Sequence, residues 1–242
     1  MSEACGQCAV NVNYDQRFEW LDGLRGVALV MMVVYHLIWN LGGWDVWEGM
    51  ADWSIFWRGW QAVTGGLFLW VVGVSLWIGY RRSKTYLAVV KRGFLLVVLG
   101  TGLSWSMQLL GLGRIDFGIL QCIGVSLILT YPLMRWRRVR LGLGGMALVL
   151  GIWGWNVPDL LGAQLDYYPL TPWWGVMLLG SVMGEILLRH AVVIAKFDSW
   201  FAEGLFTKLL RLLGRHSLLV YLIHQPILWA AYLIVRFMVS VS

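Results

Sequence analysis

The sequence predicts an all-α polytopic membrane protein: a bundle of about seven transmembrane helices, an added amphipathic helix at the membrane surface, and the N-terminus inside. Three observations predict it. Of 242 residues, 59% are apolar and 13% charged, against about 25% charged in soluble domains. Apolar runs of about 18 residues or more, long enough to span lipid, recur along the chain. Lys and Arg gather in alternate loops, as the positive-inside rule requires.

Residues 1–22 carry both charge signs and read as a cytoplasmic tail. The first apolar run, 24–42, is long enough to stay in the membrane rather than be cleaved as a signal. Further runs cover roughly 55–80, 86–112, 117–134, 141–158, 171–189 and 216–239, the third interrupted near its start by Lys91 and Arg92. Between the last two runs, HAVVIAKFDSWFAEGLFTKLLRLLGR (190–215) mixes apolar residues with charges at helical spacing, the pattern of an interfacial amphipathic helix. No repeat or linker divides 23–242, which reads as a single domain. Placing the N-terminus inside puts 16 of the 19 Lys and Arg on the inner side, leaving Arg58, Arg114 and Arg236 outside. The inner side then carries +9 and the outer −3, so the net +6 is a topology signal rather than a nucleic-acid footprint. It also leaves an inner face attractive to anionic membrane lipid or a phosphorylated ligand.

Cys5 and Cys8 form a CxxC in the tail and Cys122 stands alone. A structural zinc needs four ligands, so no metal is expected. Ionisable groups near helix ends snorkel to the interface, which suits Arg58, Lys91, Arg92, Glu185 and Arg236. It does not suit His36, about 16 Å along its helix from Arg25 at 1.5 Å per residue. His224 lies roughly 12 Å inside the last run by the same rise, and the adjoining Gln225 and Pro226 predict a locally broken helix lining a cavity. Gln61 and Gln121 are further polar groups within runs. An ionisable group at this depth is a functional candidate, although a histidine also bonds neighbouring helices. Many of the 17 Trp fall at the outer side, as an aromatic belt or as flat walls for a sugar ring. Asp45, Glu48, Asp52, Asp159 and Asp166 give the outer loops an acidity that favours a cationic acceptor. Gly180 and Gly184 form a GxxxG, either a homodimer contact or close packing inside the bundle.

Arg25 followed after ten residues by His36 resembles the first-helix motif of the transmembrane acyltransferase superfamily. RFEWLDGLRGVALVMMVVYH, RIDFGILQCIGVSLIL, DYYPLTPWWGVMLLG and GRHSLLVYLIHQP, in that order, resemble bacterial relatives of the heparan-alpha-glucosaminide N-acetyltransferase catalytic-domain family. The resemblance implies a multi-pass enzyme of the bacterial inner membrane that takes acetyl-CoA at the cytosolic face and acetylates a sugar amine or hydroxyl at the outer face. The family's lysosomal members carry an essential histidine in the first outer loop. Here that loop, GWDVWEGMADWS, has none, and His36 is the available base.

On that footing His36 takes the proton of the attacking amine or hydroxyl, with transfer either direct or through the imidazole itself. Gln121, His224 or Gln225 would donate to the oxyanion. Asp166 and Trp173 would hold the sugar. Arg25, with Arg81, Arg82 and Lys84, would bind the donor's phosphates, while Arg25 has the alternative of pairing with Asp22. No Gly-rich phosphate loop is present. Two other classes use the same histidines: a bis-histidine haem protein, with His36 and His224 as axial ligands, and a proton-coupled transporter with His36 as relay.

Overall fold

The computed structural model describes residues 17–42, 54–109, 111, 117–154 and 167–241. Among these the chain is helical, with no strand. The helices are α1 (Glu19–Gly42), α2 (Ser54–Arg81), α3 (Tyr86–Leu109), α4 (Ile119–Thr130), α5 (Arg137–Gly154), α6 (Leu170–Leu187), α7 (Ala191–Ala202), α8 (Leu205–Arg215) and α9 (Ser217–Val241). Among the described residues, four stretches are long and apolar enough to cross a membrane: Glu19–Ile38, Gly59–Arg81, Tyr86–Leu109 and Leu170–Leu187. Ile119–Arg135 and Ser217–Tyr232 are shorter apolar helices. The run expected over 117–134 is α4 followed by a 3-10 turn, Tyr131–Arg135. Pro132 has no N–H for the α ladder, so the chain tightens there before α5.

Helix α6 is the hub. Gly180 sits so close to α2 that an added Cβ would lie 2.5 Å from the Trp70 carbonyl oxygen, and at Gly184 it would lie 3.1 Å from the Val74 Cα. The GxxxG is therefore spent inside the bundle. On another side, a Cβ at Gly175 would lie 2.7 Å from the Gly144 oxygen of α5. Phe94, Val98 and Trp105 of α3, and Met146, Val149 and Trp153 of α5, stay exposed, as residues do whose solvent is hydrocarbon rather than water. These apolar outer faces and apolar helices mark a membrane protein.

Four sequence expectations change. The single amphipathic helix over 190–215 is two, α7 and α8, turned at Gly204 (φ 92°). Moreover, α8 does not lie alone at a surface. A Cβ at Gly214 would lie 1.8 Å from the Asp22 oxygen, and one at Gly26 2.0 Å from the Leu210 oxygen, so α8 runs antiparallel along the first half of α1. Helix α9 is continuous through Pro226 rather than broken there. Glu185, expected to snorkel, and Arg140, expected at the inner surface, are both buried and joined at 2.5 Å. Two tryptophans of the expected belt are ties between helices: Trp60 Nε1 donates to the Met31 carbonyl at 2.9 Å and Trp174 Nε1 to Thr130 Oγ1 at 3.0 Å. Indole N–H groups removed from water need such partners.

Candidate functional site

Two polar centres lie along α1. At its N-terminal end, α1, α2, the turn after α2 and α3 enclose a pocket of about 250 Å³, lined by Arg17, Phe18, Leu21, Asp22, Arg25, Ser75, Ile78, Gly79, Arg82, Lys84 and Arg92. Arg25 is held from both sides, donating from Nη1 to Asp22 at 2.8 Å and from Nη2 to Ser75 Oγ at 2.5 Å. Asp22 also takes Arg17 at 2.6 Å, and Arg215 of α8 stands 3.6 Å away. Arg25 pairs with Asp22, and it also lines this cationic pocket. Arg82 and Lys84 line the same pocket, whereas Arg81 does not. Burial first, then the charges of Arg92 and Arg82, hold the Lys84 ammonium below its ordinary pKa. Sequence reasoning missed Arg17, Asp22 and Ser75 as pocket residues and read Arg92 as a snorkelling end charge. The one available signal was charge density on the inner side, which cannot say which charges face one another.

The second centre lies in the interior. His36 of α1 and His224 of α9 meet edge to face, with ring centroids 4.9 Å apart, although 188 residues separate them in sequence. His36 Nδ1 lies 2.9 Å from the Met32 carbonyl oxygen, and His224 Nδ1 2.6 Å from that of Tyr221. A carbonyl only accepts, so Nδ1 carries the hydrogen on each neutral ring and Nε2 presents a lone pair. His224 is buried, and its Nε2 has no hydrogen-bond partner among the described residues; neither does the buried Gln225 Oε1. Rings in this contact leave no space for a porphyrin between them, so the bis-histidine haem arrangement does not fit.

A cavity of about 20 Å³ opens beside His36, lined also by Met32, Tyr35, Gln61, Thr64, Phe68, Ile119, Tyr168 and Tyr221. It has room for one water. Gly65 makes it possible: a Cβ there would lie 2.2 Å from the Tyr168 ring, which is how that ring reaches the cavity between α2 and α4.

The other expected residues are placed as follows. Gln121 serves its own helix: its Oε1 accepts the Gly118 N–H at 2.5 Å, and its Nε2 donates to Thr101 Oγ1 at 3.4 Å. It does not line the cavity. Trp173 is buried against Tyr168, centroids 5.1 Å apart, one residue removed from the cavity wall. Asp166, with Asp45, Glu48, Asp52 and Asp159, lies outside the described residues, as do Cys5 and Cys8.

A family model described as heparan-alpha-glucosaminide N-acetyltransferase, catalytic, matches residues 17–226. The chain belongs to this family. No curated protein and no solved structure matches it. Membership in the heparan-alpha-glucosaminide N-acetyltransferase catalytic family implies membrane acetyltransferase activity in general. The match begins at Arg17 of the cationic pocket and ends at Pro226, two residues beyond His224, so both centres lie within it.

Proposed function

We propose that the protein moves an acetyl group from acetyl-CoA, bound at the inner face of a bacterial inner membrane, to an amino sugar or sugar hydroxyl at the outer face. In this reading the chain crosses about seven times with its N-terminus inside. What carries it is one juxtaposition: α1 lines a cationic pocket at one end and further along holds His36 against His224 of α9, with Arg25 and His36 about 16 Å apart along the α1 axis. A donor with phosphates at one end and a reactive thioester at the end of a long arm suits that spacing.

Arg25, Arg82 and Lys84 bind the phosphates, together with Arg17 and Arg92, which line the same pocket. Bound acetyl-CoA supplies the activated thioester. His36, its Nδ1–H anchored on Met32, takes the acceptor's proton at Nε2 as the new bond to the acetyl carbon forms and the bond to sulfur breaks. His224 carries its hydrogen on Nδ1, so in the neutral state its Nε2 accepts rather than donates. We therefore give it a hydrogen bond from the protonated His36 Nε2–H instead of an oxyanion, and His36 then returns that proton to the departing thiolate sulfur, which leaves as the free thiol. Gln121, whose amide is engaged at the α4 cap, keeps the cavity wall in shape. Gln225, with its unpartnered carbonyl, and Asp166 and Trp173 are placed with the acceptor. The water-sized cavity widens to admit both substrates.

The test is labelled acetyl-CoA with purified protein and a panel of amino sugars. Wild-type protein is expected to label an acceptor and release thiol. His36→Ala should insert and fold yet lose at least about a hundredfold in turnover, the lower range for a positioned acid–base group. Near-full turnover in that variant overturns the role of His36. Solute flux in proteoliposomes without acetyl-CoA, and no labelled product, overturns the enzyme reading in favour of a transporter.

A further inference from the structure

Acyl transfer needs a hydrogen-bond donor for the carbonyl oxygen, which gains charge as the nucleophile attacks. Neither histidine supplies one, since each neutral ring uses its hydrogen on its own helix and presents a lone pair. Gln121 is engaged at the α4 cap. The wall of the cavity beside His36 does hold a donor, Tyr168. Its ring enters the slot left by Gly65 of α2, where an added Cβ would lie 2.2 Å from the ring and 2.7 Å from the hydroxyl oxygen. The Tyr168 N–H donates to the Phe117 carbonyl at 2.8 Å, and the ring is buried against Trp173, centroids 5.1 Å apart. The hydroxyl donates to the Gln61 carbonyl at 3.3 Å, an oxygen that the ladder of α2 already uses. The ring is thus fixed, while its hydroxyl makes a bond longer than a usual O–H···O contact. It can turn to a better acceptor at little cost.

We propose that the Tyr168 hydroxyl is the oxyanion donor of the acetyl transfer. This deepens the acetyltransferase reading and rests on it. The sides of the cavity divide the work. His36 stands on α1 with Tyr35 against it, centroids 5.4 Å apart, and His224 on α9 with Tyr221 against it at 5.5 Å. Tyr168 comes from the α2 side. The cavity between them has room for one water, so groups across it stand roughly 5–6 Å apart, two hydrogen bonds in series. That span suits a tetrahedral centre whose nucleophile faces a base and whose oxygen faces a donor. Two other side chains on the α2 side carry hydrogens. Thr64 Oγ1 donates to the Trp60 carbonyl at 2.8 Å. The Gln61 amide ends a long, rotamer-rich side chain, whereas a tyrosine ring has little freedom to lose and is already in place. As the acceptor's nitrogen or oxygen bonds to the acetyl carbon, the carbonyl π pair moves onto oxygen. The Tyr168 O–H then hydrogen-bonds to that oxygen and keeps its proton. When the pair returns, the carbon–sulfur bond breaks, and His36 passes the nucleophile's proton to the sulfur.

Tyr168→Phe keeps the ring, the Gly65 slot and the Trp173 contact and removes only the hydroxyl. The full chain in phosphatidylcholine nanodiscs is assayed with acetyl-CoA and an amino sugar that the wild-type protein labels. The variant's kcat is expected to fall about 100- to 1,000-fold, as when one oxyanion donor is lost, with the Kd of acetyl-CoA and the KM of the acceptor near their wild-type values. A second measurement needs no turnover: the carbonyl stretch of bound, carbonyl-labelled acetyl-CoA in difference infrared spectra. A donor on the oxygen weakens the C=O bond, so the band should lie at lower frequency in wild type than in Tyr168→Phe. A smaller loss of kcat, a loss carried by Kd or KM instead, or the same band position in both proteins overturns the proposal alone. Wild-type protein that neither binds acetyl-CoA nor labels an acceptor overturns it together with the acetyltransferase reading beneath it.

Discussion

Removing the Glu185 carboxylate is expected to be among the most damaging single changes in this protein, although it lies in neither polar centre. Arg140 has a fully buried side chain, and its guanidinium is held by Glu185 Oε2 at 2.5 Å and Ser181 Oγ at 3.0 Å, over the Trp77 ring at 4.8 Å. Glu185→Ala leaves that cation with a hydroxyl and a ring face. Breaking a buried pair from one side costs about 3–5 kcal/mol, because the remaining charge is uncompensated. The second partner of Glu185, Arg189 at 3.0 Å, is 64% exposed, and an exposed pair is worth about 0–1 kcal/mol, so Arg189→Ala is the matched control. For a chain of this size roughly 2–4 °C is lost per kcal/mol, which places Glu185→Ala about 6–20 °C below wild type. Thermal unfolding in a mild non-ionic detergent, followed by tryptophan fluorescence, reads this directly. Replacing both partners, Arg140→Met with Glu185→Leu, should recover most of the loss, since apolar substitutes for a buried pair are often neutral. A Glu185→Ala variant no less stable than Arg189→Ala, or a double variant as unstable as the single, refutes the burial argument.

Other outcomes follow from the same geometry. Gly214→Ala puts a methyl 1.8 Å from the Asp22 carbonyl oxygen. Since backbone cannot yield as a side chain does, α8 should part from α1 at a cost of about 1–3 kcal/mol or more, with faster proteolysis at the α7–α8 turn. Gly102→Ala, with nothing within 4 Å of the added methyl, should instead stabilise by up to about 1 kcal/mol through helix propensity. Burial raises the Asp198 carboxyl above its ordinary 3.8, against the Trp20 N–H bond that lowers it. The folded state then binds this proton more tightly than the unfolded chain, so stability falls as pH rises from 3.8 through the raised value. Asp198→Asn keeps an acceptor for Trp20 and should melt higher than wild type at pH 7, with the difference vanishing below pH 3.8. Lys84, lowered by burial and by Arg92 and Arg82, loses its charge at a lower pH than an ordinary lysine. CoA affinity should therefore decline with rising pH earlier in wild type than in Lys84→Arg, as read by equilibrium binding from pH 7 upward.

Much of the fold was legible in the sequence because a helix in lipid satisfies its own backbone, so an apolar run announces an element without reference to its neighbours. That local rule found the long helices, picked out His36 and His224 as groups out of place in hydrocarbon, and placed Arg25, Arg82 and Lys84 on one side. It failed where the outcome depends on a distant partner. Arg140 sits in RWRRVR and reads as one more surface arginine. It turns inward only because Glu185, 45 residues on, meets it there. Gln121 reads as a polar group free for chemistry, yet it caps its own helix. Pro226 reads as a break, and the helix passes through it.

Composition and periodicity alone determined that this chain is helical and apolar and that its positive charge is unevenly placed, because those properties belong to each segment separately. Tertiary structure alone decided that His36 touches His224, that Arg25 is locked between Asp22 and Ser75, and that α8 runs along α1. Each of those contacts joins segments far apart in the chain, and no local pattern encodes which pair of helix faces packs closely enough to bring two polar side chains together.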